Sequence, residues 1–419
     1  MQLIELSPHD RLIIDAQALF TGIDSRFKKD VSIYIGDGRV QLIKKRAKNH
    51  EAHQREAAGD RKNCRIISSH SLTVIPGLID CHVHLALDGM SGQHPHEDAF
   101  SLAERLQGNL ASTLACGIVA VRDGGDRGGA GLLCRDLVNA AELTGPVVMA
   151  SGKALHKAGG YGSFLGAGIS PGEAPAKFIK RLAKEGVDQV KALVSGIVSF
   201  KEYGRVGGVQ FSLEELRRIV RIAADYGLKV MAHASSEQAV RLCIAAGVHS
   251  IEHGYFISES SLKAMADQGI AWAPTVVPVA VQSRRADQTE AAVIERTYRR
   301  QLRMIRLAQR LGVILGVGTD AGASGVRHGA GFWQELQLYR EAGLTVEETL
   351  LAATRNGARI IGREESLGVI APGRPAFLLI AEGDPLSPPG KQVRLKYLIR
   401  PRQRRAAAGS FQFRVNQSS

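Results

Sequence analysis

From about Val74 onward the chain alternates short apolar, β-branched runs with longer stretches whose apolar positions recur at helical spacing. That alternation reads as buried parallel strands joined by helices. Eight strand candidates follow in order: VIPGLIDCHVHL from Val74, GIVAVRD from Gly117, PVVMASG from Pro146, VDQVKAL from Val187, LKVMAHA from Leu228, HSIEHG from His249, IAWAPT from Ile270 and GVILGVGTD from Gly312. Ahead of the LKVMAHA strand, SLEELRRIVRIAADYG opens with Ser212 three residues before Glu215, the spacing of a capping box, and Gly227 supplies its stop. TVEETLLAATRNGARIIG is expected to form one last helix, with Thr345 and Glu348 at the same spacing. Eight strand–helix units exceed the usual strand count of an open sheet and predict a TIM (β/α)8 barrel.

The two ends differ from this middle. RLIIDAQALF, DVSIYIGDGRVQLI and CRIISSHSLTV read as strands, with DGR as a hairpin turn before the polar stretch KKRAKNHEAHQREAAGDRKN. LGVIAPGRPAFLLIAEGDP and VRLKYLI near the other end also read as strand and turn. The expected division is residues 1–73 and 365–419 as two parts of one small β-sandwich-like domain, and 74–364 as the barrel.

Length and composition narrow the class. The 419 residues, 44% hydrophobic and 23% charged, can bury a sizeable core, and 46 glycines with 14 prolines exclude collagen-like and disordered chains. Uncharged apolar runs stay short of the ~18 residues a membrane span requires, and MQLIELSPHD places acidic residues where a secretory leader would be basic. A cytoplasmic protein without a membrane partner is expected. Cys64, Cys81, Cys116, Cys134 and Cys243 form no CxxC pair and read as reduced, mostly buried thiols. The net charge of +13 includes basic runs at Lys44 to Lys48 and Arg400 to Arg405. Without interleaved aromatics these read as solvated surface rather than a specific nucleic-acid site.

Active sites of such barrels lie at the C-terminal ends of the strands, so polar residues that end apolar strands carry the chemistry. His82 and His84 end the first strand and, one residue apart, point to the same side. Lys191 ends the fourth, His233 the fifth, His253 the sixth and Asp320 the eighth. Imidazoles and a carboxylate are donors for zinc and related divalent ions, and drawing them from separate strands aims them at one point. A lone strand-end histidine is as a rule a hydrogen-bonded structural residue; the convergence is what signals a metal site. Lys191 stands out, because a buried ammonium is costly and is repelled by a cation. It is either solvated or chemically neutralised.

PGLIDCHVHL, GIVAVRDGG, VDQVKALVSG, VMAHA, SIEHG, GVGTDAG and the closing TVEETLLAATRNGARIIG with LGVIAPGRP resemble, in order, the signatures of the amidohydrolase superfamily, in the branch of metal-dependent prolidase-type dipeptidases. The resemblance runs from about Asp30 over nearly the whole chain. It implies two divalent ions, zinc being expected: one on His82, His84 and Asp320, the second on His233 and His253, with Lys191 carboxylated as the bridge. Carboxylation turns the repelled cation into an anionic oxygen ligand. The implied reaction is hydrolysis of an amide carbon–nitrogen bond by a hydroxide shared between the ions, with Asp320 as general base and then general acid. Dipeptides and N-acyl amino acids are the implied small-molecule substrates, and a homo-oligomer is left open.

Two further residues are read as substrate-binding. Tyr161, in ALHKAGGYGSFLG, stands where the family places a histidine, and its phenol can hydrogen-bond a substrate carboxylate or an oxyanion. His328, in VRHGAG, is expected at the same barrel mouth. Asp123 is expected to brace a loop, and His94 and His96 flank Pro95 in a solvent-facing loop outside the metal site. The chain departs from the family pattern at Phe377, near where an aspartate is usual, a change expected to loosen the contact between β domain and barrel, and in the long insertion Lys44 to Asn63. The same ligand set also serves lactone, phosphotriester or deamination chemistry, and a non-catalytic basic binding protein is the alternative from another class. Completeness of all six positions favours the enzyme.

Overall fold

The computed structural model describes residues 1–46, 64–89, 99–170, 172–283, 288–386 and 394–403. The chain is mixed α/β. It begins with β1 (Gln2–Leu6), β2 (Arg11–Phe20), β3 (Phe27–Gly36), β4 (Arg39–Lys45), β5 (Cys64–Ser68) and β6 (Leu72–Pro76). The middle carries β7 (Leu78–Val83), β8 (Ile118–Asp123), β9 (Val147–Ala150), β10 (Gln189–Leu193), β11 (Lys229–Ala234), β12 (Ser250–His253) and β13 (Ala271–Ala273). Near the C-terminus, β14 (Leu378–Glu382) and β15 (Arg394–Pro401) return to the first group.

The two ends pair into one sheet, in the order β1-β15-β14-β6-β2-β3-β4, with β5 beside β2. Its own core is Ile14, Leu19, Ile33, Val74, Leu378 and Ile399 among others. The predicted turn joins β3 to β4 through Asp37 and Gly38, both at positive φ (55° and 68°), the conformation a two-residue hairpin demands.

In the middle, β7-β8-β9 and β10-β11-β12-β13 are all parallel. Leu155 links the two sheets: its N–H donates to Lys191 O at 2.7 Å and its carbonyl accepts from Leu193 N at 2.9 Å. The eighth predicted strand is not a regular strand, and Leu315 and Ala321 instead make isolated parallel bridges to Trp272 and Val83. Its glycines serve close packing. A Cβ on Gly316 would lie 2.3 Å from Ile360 Cδ1, and one on Gly318 would lie 2.9 Å from His82 Cβ. Its backbone is nevertheless paired on both sides, with Trp272 N bonding Ile314 O at 2.9 Å and Cys81 N bonding Val317 O at 2.8 Å.

Helices separate these strands: α1 (Ala99–Ala115), α2 (Ala130–Asn139), α3 (Pro175–Lys184), α4 (Leu213–Asp225), α5 (Glu237–Ala246), α6 (Glu259–Gln268), α7 (Val277–Gln282), α8 (Gln288–Leu311), α9 (Ala330–Glu341), α10 (Val346–Leu351) and α11 (Gly357–Ile360). Both expected capping boxes are present, Ser212 with Glu215 on α4 and Thr345 with Glu348 on α10. The single last helix is instead interrupted by a π-helical turn, Ala352–Asn356, between α10 and α11. Asn356 there donates to Leu315 O at 2.9 Å, and Gly357 packs so close to Ile79 that a Cβ would lie 2.9 Å from it.

Three other expectations meet the structure differently. The strand from Val74 divides at Gly77, with β6 in the terminal sheet and β7 in the middle. Gly77 N donates to Phe377 O at 2.9 Å, and a Cβ would meet Val119 Cγ1 at 2.4 Å. That bond continues the β6–β14 pairing, and Phe377, at the position where a looser contact was expected, packs on the main core. Arg400 is buried rather than solvated: it lies on the inner side of β15, only 3% exposed, and its Nε donates to Glu5 at 2.9 Å. Lys48, Arg404 and Arg405 of the basic runs, and His94 and His96, lie outside the described residues.

Candidate metal centre

The six strand-end residues converge on one cavity of about 320 Å³, lined by His84, Lys191, His233, His253 and Asp320, with Tyr161 and Tyr255 on its walls. His82 lies beneath, fully buried. The donor atoms of His82, His84 and Asp320 all fall within 4.8 Å of one another. Asp320 Oδ1 stands 3.4 Å from the Nε2 of both histidines, and Lys191 Nζ stands 3.1 Å from His82 Nε2. The His233 and His253 rings meet at 4.5 Å between centroids, and His253 is 5.0 Å from His82.

Each imidazole is held through one nitrogen, which settles the tautomer and makes the other an acceptor. His82 Nδ1 is 2.9 Å from Glu252 Oε2, and His84 Nδ1 is 2.7 Å from Gly125 O. His253 Nδ1 is 2.7 Å from Thr275 Oγ1, whose own proton goes to Pro274 O at 2.7 Å, so the histidine is the donor. His233 is turned the other way, with Nε2 3.3 Å from Gly196 O. These tautomers make Nε2 of His82, His84 and His253 and Nδ1 of His233 the acceptor atoms, and that of His82 faces Lys191 Nζ at 3.1 Å. A donor set of neutral imidazoles and a carboxylate in one buried cluster fits a zinc-class ion.

Burial tunes the charges. It drives His82 and His253 well below the usual imidazole range and His233 to about 3, so all three are neutral at pH 7, as metal binding requires. Burial also lowers the Lys191 ammonium, against the pull of Glu252 and Asp320, and raises the Asp320 carboxyl, against the pull of Lys191. His253 and Asp320 both adopt positive φ (69° and 55°), as does Thr275 (50°), conformations that cost on the order of 1 kcal/mol or more in non-glycine residues. The strain sits at the ends of the segments that present the donors.

The layer below was not foreseen. Glu252 takes His82 on one oxygen and Arg122 Nη2 (2.7 Å) with Ser250 Oγ (2.6 Å) on the other, all buried. Strand alternation was the available signal: the residue beside a cavity-facing His253 points the other way, and an acid in so apolar a strand requires a partner. Asp80 likewise takes Thr319 Oγ1 at 2.7 Å and Thr319 N at 3.1 Å, pinning the segment that presents Asp320 to β7. Asp123 braces loops as expected, receiving Leu85 N at 2.8 Å and Gly125 N at 2.9 Å.

The two expected substrate contacts separate. Tyr161 faces the cavity, its ring 5.4 Å from that of His233, and Gln210 Nε2 anchors its carbonyl at 3.0 Å. His328 is buried and lines a different cavity, of about 450 Å³, with Asp88, Asn109 and Cys116. The turn that follows is pressed against α1, since a Cβ on Gly329 would lie 2.4 Å from Ser112 O.

Ochratoxinase of Aspergillus niger is 28% identical over 357 residues, covering 76% of this chain and 72% of that protein. Imidazolonepropionase of Porphyromonas gingivalis is 27% identical over 358 residues, 77% of each chain. A crystal structure of a Xaa-Pro dipeptidase with bound methionine superposes with a TM-score of 0.77 at 25% identity, covering 90% of this chain and 95% of that one, which supports a TIM-barrel-like α/β fold. The signature of the Amidohydrolase family spans residues 73–407, the stretch that supplies every one of these donors, and the chain belongs to that family.

Proposed function

We propose that this chain hydrolyses a carbon–nitrogen amide bond of a small molecule, in the range of dipeptides and N-acyl amino acids, with two zinc-class ions. The observation that carries this reading is the set of four histidines, each oriented through one nitrogen, gathered with Asp320 and Lys191 at one cavity. His82, His84 and Asp320 would hold one ion, His233 and His253 the other, and a carboxylated Lys191 would lie between them. When bound, such ions lower the pKa of a shared water and polarise the scissile carbonyl.

The chain's own groups do the rest. Asp320, its carboxyl raised by burial, takes a proton at an Oδ atom and returns it to the departing nitrogen. The lowered Lys191 is a better nucleophile toward carbon dioxide than an ordinary lysine: Nζ adds to the carbon and releases a proton, leaving an anionic carboxylate. Tyr161, whose phenol burial keeps protonated, donates a hydrogen bond to substrate oxygen.

The same proposal extends to architecture and setting. The parallel bridges at Val83 with Ala321, Leu155 with Ala192 and Trp272 with Leu315 support closure of residues 74–364 as a (β/α)8 barrel, with 1–73 and 365–419 as the small β domain. All five cysteines are free, which supports a reducing, cytoplasmic setting. Zinc-loaded protein tested on N-acyl amino acids, dipeptides and neutral secondary amides, with release of amine as readout, decides the reading; cleavage of none of them at about two zinc ions per chain overturns it.

A further inference from the structure

The cavity has two separate apolar walls beside the donor cluster. One is Leu87, Leu165 and Leu193 with Tyr161 and Phe164 packed on them. The other is Val198, Tyr255 and Val279 with Phe200. Apart from the site residues, the polar groups described on the lining are Tyr255, Gln282 and Ser324; among the described residues it includes no arginine and no lysine other than Lys191. A free carboxylate or ammonium placed against the apolar side chains of either wall would lose its hydration without an opposite charge from the described residues of that wall.

Val198 and Phe200 of the second wall lie on a hairpin after β10, closed by antiparallel bridges at Ser195 with Val209 and Val198 with Val206. Its base is tied to the site, since Gly196 O faces His233 Nε2 at 3.3 Å, and a Cβ on Gly207 would lie 2.8 Å from Gly196 Cα. Its tip is held as well: Tyr203 packs edge-on to Phe256 at 5.4 Å, and the Arg296 guanidinium lies 3.6 Å from the Tyr203 ring centre. At the mouth Ile197 lines the cavity yet is 57% exposed, an apolar side chain that a bound apolar group would cover.

We propose that the site takes a compact, uncharged amide bearing an apolar group on each side of the scissile bond, and that Ile197 and Phe200 of this hairpin select for it. The inference rests on the amide-hydrolase reading but departs from the dipeptides and N-acyl amino acids expected there, all of which carry a carboxylate, in favour of neutral amides. The test uses full-length, zinc-loaded protein and three secondary amides of similar apolar bulk: N-benzoylbenzylamine, which is neutral, N-benzoylphenylalanine, with one carboxylate, and phenylalanyl-phenylalanine, a zwitterion. The kcat/KM is expected to fall in that order, with at least about a tenfold drop at the first charge. Equal or better cleavage of the zwitterion overturns the inference and leaves amide hydrolysis standing. Cleavage of none of the three at full zinc content overturns both.

Phe200→Ala and Ile197→Ala form the second arm. Each is expected to raise KM for N-benzoylbenzylamine by up to about tenfold through lost apolar contact, with kcat and zinc content nearly unchanged. An unchanged KM in both variants removes the hairpin from the selection.

Discussion

Glu252 accepts the Nδ1–H of His82 at 2.9 Å, with both side chains at 0% exposure, while its other oxygen is held by Arg122. A charge pair two side chains deep thereby orients a nitrogen at the floor of the donor cluster. Removing one partner of such a pair leaves the other charge buried and uncompensated.

Glu252→Gln is therefore expected to weaken zinc binding by about 10- to 100-fold, because the imidazole loses its anionic acceptor and Arg122 its counter-charge. Competition with a chromophoric chelator measures this. Wild-type affinity in the variant would reduce Glu252 to a packing residue. Its melting temperature should fall too, by the equivalent of a few kcal/mol at most, since the amide preserves shape.

His82→Ala and Asp320→Asn serve the site rather than the core, and both are expected to abolish turnover while circular dichroism stays native-like. Metal analysis should record loss of the ion that His82, His84 and Asp320 would share. Near-native activity in either variant would remove that residue from the ligand set.

Lys191→Ala is expected to be inactive and low in metal, with partial rescue by short carboxylic acids such as acetate or propionate that fill the space of the lost bridge. In the wild type, carbon-13 bicarbonate should yield a carbamate resonance that Lys191→Ala lacks. A fully metal-loaded Lys191→Ala would count against the carboxylated lysine.

His249 supplies a pH prediction outside the donor cluster. Its Nε2 donates to Ile360 O at 3.2 Å, and burial, aided by the Lys229 ammonium, lowers it from 6.5 to about 4. The folded value is depressed, so the native state favours the neutral ring. Its contribution is complete above pH 6.5 and is lost as pH falls through about 4. His249→Gln keeps a donor without titrating, and should flatten the fall in stability over that window by about 3 kcal/mol. Unfolding titrations at several pH values check it, and an unaltered slope would assign the acid sensitivity elsewhere.

Much of this site was readable without coordinates because its donors sit at the ends of short apolar runs. HVH, KAL, AHA, EHG and GTD each place a polar group where a buried strand stops, and strand alternation sends both His82 and His84 to one side. The capping boxes at Ser212 and Thr345 were equally local, three residues from hydroxyl to carboxylate. What failed depended on distant chain. The division at Gly77 reflects pairing of β6 with β14, some three hundred positions along. Arg400 left the surface because Glu5 and the Gly145 carbonyl hold its guanidinium, and His328 left the cavity because its turn packs on α1.

The order of polar and apolar residues along this chain determined which side chains end strands, which helices are capped and which chemistry six of those side chains can perform, since each depends on neighbours within a few positions. The tertiary structure alone decided which nitrogen of each histidine is free, which buried acid supports His82, and which apolar surfaces face a substrate. Those depend on hydrogen-bond partners and walls contributed by segments far apart in sequence, and local pattern carries no record of who meets whom across a closed core.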